Sequence, residues 1–131
     1  MSVKTIKNFL IINCIGKDDK LGLRINKDFF IRKLENFNNN NDKLVYEISN
    51  FLNKHKIQLD ENFSVIVNQG PGSFSGIRTS LAVAKGLEIS KNIRLYGYKD
   101  TDLRAFDKEN IYKLLDKNLK EKKLIKPIYL S

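Results

Sequence analysis

The chain has 131 residues, enough for one domain and too few for the two-domain enzymes that hold a cofactor between domains. Its apolar content of 41% is sufficient for a folded core. One cysteine excludes an internal disulfide, and one cysteine with one histidine cannot form an ordinary zinc site. We therefore expect a reducing, cytoplasmic setting. No apolar run approaches the ~20 residues that cross a bilayer, so no membrane contact is expected.

The net charge of +9 has two explanations. Basic domains gain affinity for nucleic acids by releasing counterions from phosphates, which favours an RNA-binding role. However, lysine, asparagine and isoleucine all have A/T-rich codons and make up more than a third of the chain, so a low-GC genome alone can produce this basicity. The sequence leaves both explanations open.

The first third of the chain has the pattern of an antiparallel meander. Apolar runs and polar alternation predict three strands, at 6–15, 21–25 and 28–33. The asparagine run at 38–41 interrupts this pattern, and asparagine favours turns and helix N-caps. Apolar residues at steps of three and four then predict an amphipathic helix over 42–56, whose start is placed at Asn41 or Asp42.

The middle of the chain alternates strands with a helix. The pattern predicts a buried strand at 63–67, a loop at 68–72, a helix at 73–90 and a strand at 93–97. Strands separated by helices pair in parallel through right-handed crossovers. The predicted fold class is therefore α/β, with a mixed sheet in which an antiparallel meander is followed by parallel strands.

The C-terminal part is lysine-rich and has the pattern of one more amphipathic helix. This helix is predicted from Asp107, as its N-cap, to Leu124, and Pro127 favours an extended ending at 126–131. A lone helix of this kind must bury its apolar face, so Ile111, Leu115 and Leu119 are expected to pack on the rest of the protein. The predicted organisation is an α/β domain at 1–106 with a docked helix and tail at 107–131.

A glycine-rich turn joins the predicted strand at 63–67 to the following helix. Glycines let the backbone bend sharply, and a helix N-terminus presents unpaired N–H groups and partial positive charge. These features predict either an anion contact or a turn built for packing alone, and the sequence does not separate the two. The residues of the predicted anion contact are Gly70, Gly72, Ser73, Ser75 and Arg78.

The helix over 73–90 has an apolar arc wider than a surface helix needs. One stripe contains Phe74, Ile77, Leu81 and Ala84, and an adjoining stripe of mostly small side chains contains Gly76, Ser80, Val83 and Leu87. This arc predicts one contact with the protein's own sheet and a second with another helix. That second helix belongs either to a partner protein or to this chain, at 42–56.

One continuous segment resembles a known family signature. It begins with Gly70-Pro71-Gly72-Ser73-Phe74-Ser75-Gly76-Ile77-Arg78 and continues with Leu81-Ala82-Val83-Ala84-Lys85-Gly86-Leu87. The signature of the TsaB family, formerly called YeaZ, is similar: a Gly-Pro-Gly-Ser-Phe-Thr-Gly turn and a helix ending in Ala-Lys-Gly-Leu. The similarity covers residues 8 to about 106, and the ending at 127–130 looks like that of the family. The chain thus resembles a shortened TsaB that lacks most of the second subdomain.

The resemblance implies a fold and a partner. TsaB proteins have the ribonuclease H-like, actin-like ATPase fold and are non-catalytic subunits of the TsaD transferase in threonylcarbamoyladenosine synthesis on tRNA. They bind TsaD through a bundle of two helices from each protein, here 42–56 and 73–90, and a TsaE-like ATPase acts in the larger complex. We expect an indirect role for tRNA and a homodimer when TsaD is absent. The predicted partner interface is Leu44, Glu47, Phe51, Gly76, Thr79, Ser80, Val83 and Leu87.

The chain departs from the family where phosphate chemistry would occur. Asn13-Cys14-Ile15 stands where the family has Asp-Thr-Ser, and Asn40-Asn41-Asp42 stands where it often has His-Ser-Glu. We therefore expect no catalytic residues, cofactor or metal: Cys14 is interpreted as a buried structural thiol, His55 as solvated, and Asp18 and Asp19 as a solvated pair. The alternatives are a nucleotide-binding phosphotransferase or peptidase-like enzyme of the same fold, or a basic RNA-binding homodimer.

Overall fold

A computed structural model describes residues 7–35 and 40–116. Within these residues the chain forms a five-stranded mixed sheet in the order β3-β2-β1-β4-β5. The strands are β1 (Phe9–Asn13), β2 (Lys20–Ile25), β3 (Asp28–Lys33), β4 (Ser64–Asn68) and β5 (Arg94–Tyr98). β1, β2 and β3 pair antiparallel, whereas β4 pairs parallel with both β1 and β5. The predicted α/β class with a mixed sheet is confirmed.

Three helices cover the two faces of this sheet: α1 (Asn41–Lys54), α2 (Phe74–Lys91) and α3 (Lys108–Asp116). Successive side chains of a strand point to opposite faces, and every residue of β4 is buried. Val65 and Val67 of β4 belong to the core beneath α1 and α2, and Ile66 belongs to the core beneath α3. The continuous apolar run of β4 is explained by this coverage on both faces.

Helix α3 closes the face of the sheet opposite α1 and α2. Its Ile111, Leu114 and Leu115 are buried against β1, β4 and β5. The predicted continuation of this helix to 124, with Leu119, and the extended ending at 126–131 lie outside the described residues. The division of the chain at 106 and 107 stays a prediction.

Helix starts follow local polar residues. Ser73 accepts a hydrogen bond from Gly76 N, and the Asp107 side chain accepts one from Asn110 N at 2.8 Å. The cap of α1 is Asn40, which accepts from Lys43 N at 3.0 Å. The helix start predicted at Asn41 or Asp42 is confirmed, since α1 begins at Asn41.

Other differences concern where elements end. The strand predicted at 6–15 extends only from Phe9 to Asn13, and α1 ends at Lys54 rather than at 56. Lys56 has φ +57°, a left-handed conformation that cannot continue a helix. A short 3₁₀ turn at Asp100–Asp102, which the sequence pattern did not indicate, connects β5 to the segment before α3.

The parallel strands β1, β4 and β5 give the sheet two distinct ends, which we call the carboxyl edge and the amino edge. The carboxyl edge is where β1, β4 and β5 end, and it includes the loops that follow these strands. The amino edge is where the same three strands begin, and it includes the β2–β3 turn and the C-terminal ends of α1 and α2. This placement follows from the parallel pairing of β1, β4 and β5.

Candidate functional site

The carboxyl edge is where open α/β sheets bind ligands, and here side-chain amides fill it. Asn68, at the end of β4, donates from Nδ2 to Asn13 Oδ1 at 2.6 Å and to Asp100 Oδ1 at 3.1 Å. Its own Oδ1 accepts from Gly70 N at 2.8 Å. Asn68 is fully buried and Asn13 nearly so. The residue standing in place of the family's aspartate is therefore a member of an internal hydrogen-bond network.

A buried phenol completes this network. The Tyr98 hydroxyl donates to Asn13 Oδ1 at 3.5 Å. Burial raises the pKa of Tyr98 well above its usual value, and Asp100 and Cys14 raise it further, since each disfavours a second negative charge. Tyr98 thus stays neutral and serves as a hydrogen-bond donor within the core.

The loop after β1 lies directly against the glycine-rich turn. Ser73 N donates to Ile15 O at 2.7 Å. A Cβ atom on Gly16, whose φ is +91°, would lie 2.5 Å from Ser73 Cβ, and one on Gly72 would lie 2.7 Å from Ile15 Cβ. Glycine is required at these positions because the two loops touch. The packing explanation for the glycine-rich turn has direct support.

The anion contact predicted at this turn has fewer donors than expected. Three backbone N–H groups already have partners within the chain: those of Gly70, Ser73 and Gly76. Ser75 and Arg78 are exposed, and the Arg78 guanidinium lies over the Phe74 ring, 5.2 Å from its centroid. The anion contact stays a prediction, with Ser75 and Arg78 as its accessible side chains.

Three further candidates have structural environments. Cys14 is fully buried, and burial, with a contribution from Asp19, raises the pKa of its thiol well above the usual value, so it is a poor nucleophile. Burial also raises the pKa of Asp19. The hydrogen bond that its carboxylate accepts from Gly16 N lowers this pKa, but the effect of burial is larger. The expectation of a solvated Asp18–Asp19 pair is wrong for Asp19, because this carboxylate is half-buried. The described residues contain no group of three His, Cys, Asp or Glu side chains arranged to hold a metal ion.

His55 also differs from its predicted environment. Its ring stacks on Phe30 with 4.0 Å between centroids and meets the ring of Phe51 edge-on at 5.6 Å. The prediction of a solvated histidine is wrong because the side chain at the end of α1 folds back onto the outer part of the core. Its role is packing.

An open apolar groove lies between α1 and α2, with a volume of about 450 Å³. Val45 on α1 is 48% exposed beside it. On α2, a Cβ atom added to Gly86 would meet no atom within 4 Å, so the groove is open at that point. The α1–α2 groove is lined by Asn41, Val45, Ile48, Ser49, Leu52, Leu59, Ala82, Val83, Gly86, Leu87, Ser90 and Lys91.

Five residues of the predicted partner interface lie inside the protein instead: Leu44, Phe51, Gly76, Thr79 and Ser80. The reason is that α2 packs against both the sheet and α1, so its wide apolar arc is largely covered by the chain itself. The Ser80 hydroxyl, for example, is fully buried and donates to Ile77 O at 2.9 Å. Replacing Ser80 with arginine would disrupt the fold and would not report on a partner.

The other three predicted interface residues have different positions. Val83 and Leu87 line the α1–α2 groove. Glu47 faces β3, where its carboxylate accepts from Arg32 Nε at 2.7 Å. The accessible part of the predicted interface is therefore the α1–α2 groove. Val45, Ala82 and Gly86 also line this groove, although they were not among the predicted interface residues.

Comparison with known proteins places this arrangement in a family. Residues 38–110, more than half of the chain, match the family model described as "TsaD: tRNA N6-adenosine threonylcarbamoyltransferase". A curated relative, the tRNA threonylcarbamoyladenosine biosynthesis protein TsaB of Buchnera aphidicola subsp. Baizongia pistaciae, is 38% identical over 71 residues. The chain belongs to this family, as a TsaB/YeaZ member.

Solved structures agree on the fold. YeaZ from Pseudomonas aeruginosa superposes with a TM-score of 0.65 at 15% identity, covering 75% of this chain and 45% of that one. A protein described as similar to peptidase YEAZ from the same organism gives a TM-score of 0.62 with the same coverage. The match to TsaB covers 54% of this chain and 32% of the relative. This TsaB/YeaZ member therefore spans less than half the length of the relatives it matches.

Sequence reasoning missed two features of this TsaB/YeaZ member. The hydrogen-bond network of Asn68 could have been suspected because a polar residue ends an otherwise apolar strand just before the turn. Gly86 gave a weaker signal, namely a glycine inside a helix, which usually has a packing or functional reason. No helix within residues 7–35 and 40–116 is long and apolar enough to span a membrane.

Proposed function

We propose that this chain is a non-catalytic TsaB-like subunit that binds a TsaD-like transferase in threonylcarbamoyladenosine synthesis on tRNA. The observation that carries the proposal is the open α1–α2 groove in a TsaB/YeaZ family member. Apolar surface of this kind, rimmed by polar residues such as Asn41 and Lys91, is typical of protein interaction sites. The proposed place of action is the cytoplasm, with a TsaE-like ATPase in the larger complex.

The groove suits a helical partner in particular. Small side chains at Ala82 and Gly86, one turn apart on α2, let a second helix approach closely. Val45 and Leu87 supply apolar contacts on the two sides of the groove. The same surface would pair with a second copy of the chain when the transferase is absent.

Co-purification tests the proposed partner. An affinity-tagged chain expressed in its native cell is expected to recover the TsaD-like transferase in stoichiometric amount, identified by mass spectrometry. As the control, an unrelated protein of similar charge carries the same tag and is purified in the same way. Recovery of abundant RNA-binding proteins without the transferase would contradict the proposal.

The proposed lack of catalysis rests on the carboxyl edge. There the Asn13 amide oxygen accepts hydrogen bonds from Asn68 and Tyr98, and the Cys14 thiol is buried. An amide cannot replace a carboxylate as a base or as a charged metal ligand. The purified chain is therefore expected to bind ATP and magnesium only weakly in calorimetric titration and not to hydrolyse ATP. A dissociation constant in the low micromolar range would favour the phosphotransferase alternative.

A further inference from the structure

Several exposed lysines lie together at the amino edge. Five exposed lysines lie there, in the segment before β1, in the β2–β3 turn and at the ends of α1 and α2: Lys7, Lys27, Lys54, Lys56 and Lys91. Three hydrogen bonds bring these segments together: Asn26 N donates to the side-chain Oδ1 of Asn8, Ser64 N to Asn8 O, and Arg94 N to Phe63 O. We call these five lysines the basic edge.

The basic edge is not neutralised by its neighbours. Within the part of the chain that the structure describes, ion pairs join Arg32 to Glu47, Lys85 to Glu88 and Lys113 to Glu109, and none includes a lysine of the basic edge. Three acidic residues share this edge, Asp28, Asp60 and Glu61, and the Asp60 carboxylate accepts a hydrogen bond from Asn62 N at 2.8 Å. The positive charge therefore exceeds the negative charge at this edge.

The helix dipoles of α1 and α2 explain only part of the positive charge at the basic edge. Lys54 and Lys91 lie in the last turns of α1 and α2, where the helix dipole favours cations. Lys56 directly follows the C-terminus of α1, and its N–H donates to Asn53 O. Lys7 and Lys27 lie in loops, where no helix dipole accounts for them. The carboxyl edge is closer to charge balance: Asp18, Asp19, Asp100 and Asp102 follow β1 and β5 there, beside the exposed Lys17, Lys33 and Lys99.

A polar cleft of about 270 Å³ opens within the basic edge. Four amide residues line it together with His55, Lys56 and one acidic residue, Asp60; the amide residues are Asn8, Asn26, Gln58 and Asn62. Amides both donate and accept hydrogen bonds, which suits ribose hydroxyls and base edges, whereas lysines suit phosphate oxygens. An anionic membrane would use the lysines but would gain little from a recessed cleft lined with amides.

We propose that the basic edge binds the phosphate backbone of RNA, with the amide-lined cleft as the place where the strand lies closest to the protein. This adds a direct RNA contact to a chain for which family resemblance implies only an indirect one. Lys91 belongs both to the basic edge and to the rim of the α1–α2 groove. The RNA contact is therefore tested below at lysines outside the groove, which keeps it separate from the partner role. RNA is the expected ligand whether or not a transferase is bound.

The test compares two triple variants of the full chain that lose the same charge. The basic-edge variant carries Lys27→Gln, Lys54→Gln and Lys56→Gln, and the control carries Lys17→Gln, Lys33→Gln and Lys99→Gln at the carboxyl edge. All six lysines are exposed, and circular dichroism melts verify that both variants fold. Binding of a fluorescent tRNA transcript is followed by anisotropy at several KCl concentrations.

The basic-edge variant is expected to lower the salt slope of the RNA affinity by about three units, about one per lysine. At low salt its affinity should fall roughly tenfold or more, and the control should change much less. Equal losses in the two variants, or no RNA binding by the wild type, would overturn the proposal. Loss of binding to phosphatidylserine vesicles with unchanged RNA binding would assign the basic edge to a membrane instead. Transferase binding by the same variants is measured separately, so the two proposals fail independently.

Discussion

Replacing Ile111 with alanine is expected to lower the free energy of unfolding by about 2–5 kcal/mol. Ile111 has no exposed surface and packs in the cluster that contains Phe9, Ile11 and Ile66. Removing its outer carbons leaves a cavity beneath α3, because the sheet below cannot collapse into that space. Urea unfolding followed by circular dichroism measures the change.

The matched control lies on the same helix. Lys113 is exposed and forms an ion pair with Glu109 at 3.3 Å, and both side chains are mostly in water. Exposed pairs of this kind contribute little, so Lys113→Ala should change the stability by about 0.5 kcal/mol or less. If Ile111→Ala were as mild as Lys113→Ala, α3 would not be part of the core.

Deleting residues 107–131 is expected to destabilise the fold more than Ile111→Ala. The deletion removes Ile111, Leu114 and Leu115 together, and full burial of each is worth roughly 1.5–3 kcal/mol. Their sum is comparable with the roughly 5–15 kcal/mol that stabilises a typical domain. We expect the shortened chain to be unfolded or insoluble. A cooperative melting transition at the wild-type temperature would contradict this assignment of α3 to the core.

Replacing Asn68 with alanine is expected to cost about 2–5 kcal/mol, since buried groups would lose their partners. Gly70 N would lose its acceptor, and Asn13 Oδ1 would lose its nearest donor. The exposed Asn53 on α1 provides the control, because its replacement by alanine removes an amide without emptying a buried site. Thermal unfolding of both variants measures the difference.

Asn68→Asp keeps the size of the side chain and changes its charge, so it tests the electrostatic environment of position 68. A carboxylate at position 68 would face Asp100 and the oxygen of Asn13, so its pKa in the folded protein should lie above the unfolded value. A raised pKa means that the folded state binds the proton more tightly, so stability is highest at low pH and falls as pH rises through that pKa. A stability difference from wild type that did not depend on pH would contradict the position given to Asp100.

Local features were predictable from the sequence because neighbouring residues determine them. The apolar spacing of α1, the caps at Ser73 and Asp107 and the buried run of β4 all follow from periods and side chains within a few positions. The start of α1 at Asn41 was predictable for the same reason, because asparagine side chains cap helices through local hydrogen bonds. The mixed sheet followed from the order of these elements.

The site was less predictable because it depends on contacts between distant segments. Asn13 and Asn68 are 55 positions apart, and only strand pairing brings their amides together. A helical wheel shows that α2 has a wide apolar arc but not which stripe meets the sheet. Ser80 therefore looked like surface and is core, whereas Gly86 looked incidental and lies at the open part of the α1–α2 groove.

Gly86→Arg tests whether the α1–α2 groove binds a TsaD-like transferase. Arginine fits at this position without distorting the fold, because a Cβ atom there meets nothing within 4 Å and glycine is unfavourable inside a helix. The charge would then lie in the apolar groove. Asn53→Arg, which adds the same charge to an exposed part of α1 outside the groove, is the matched control.

The measurement is calorimetric titration of the purified transferase from the same cell with wild type, Gly86→Arg and Asn53→Arg. We expect Gly86→Arg to lower the affinity at least roughly a hundredfold, because burying an unpaired charge at an interface is costly. Asn53→Arg should bind like the wild type. Wild-type affinity in Gly86→Arg, with its fold intact by circular dichroism, would show that the α1–α2 groove is not where the transferase binds.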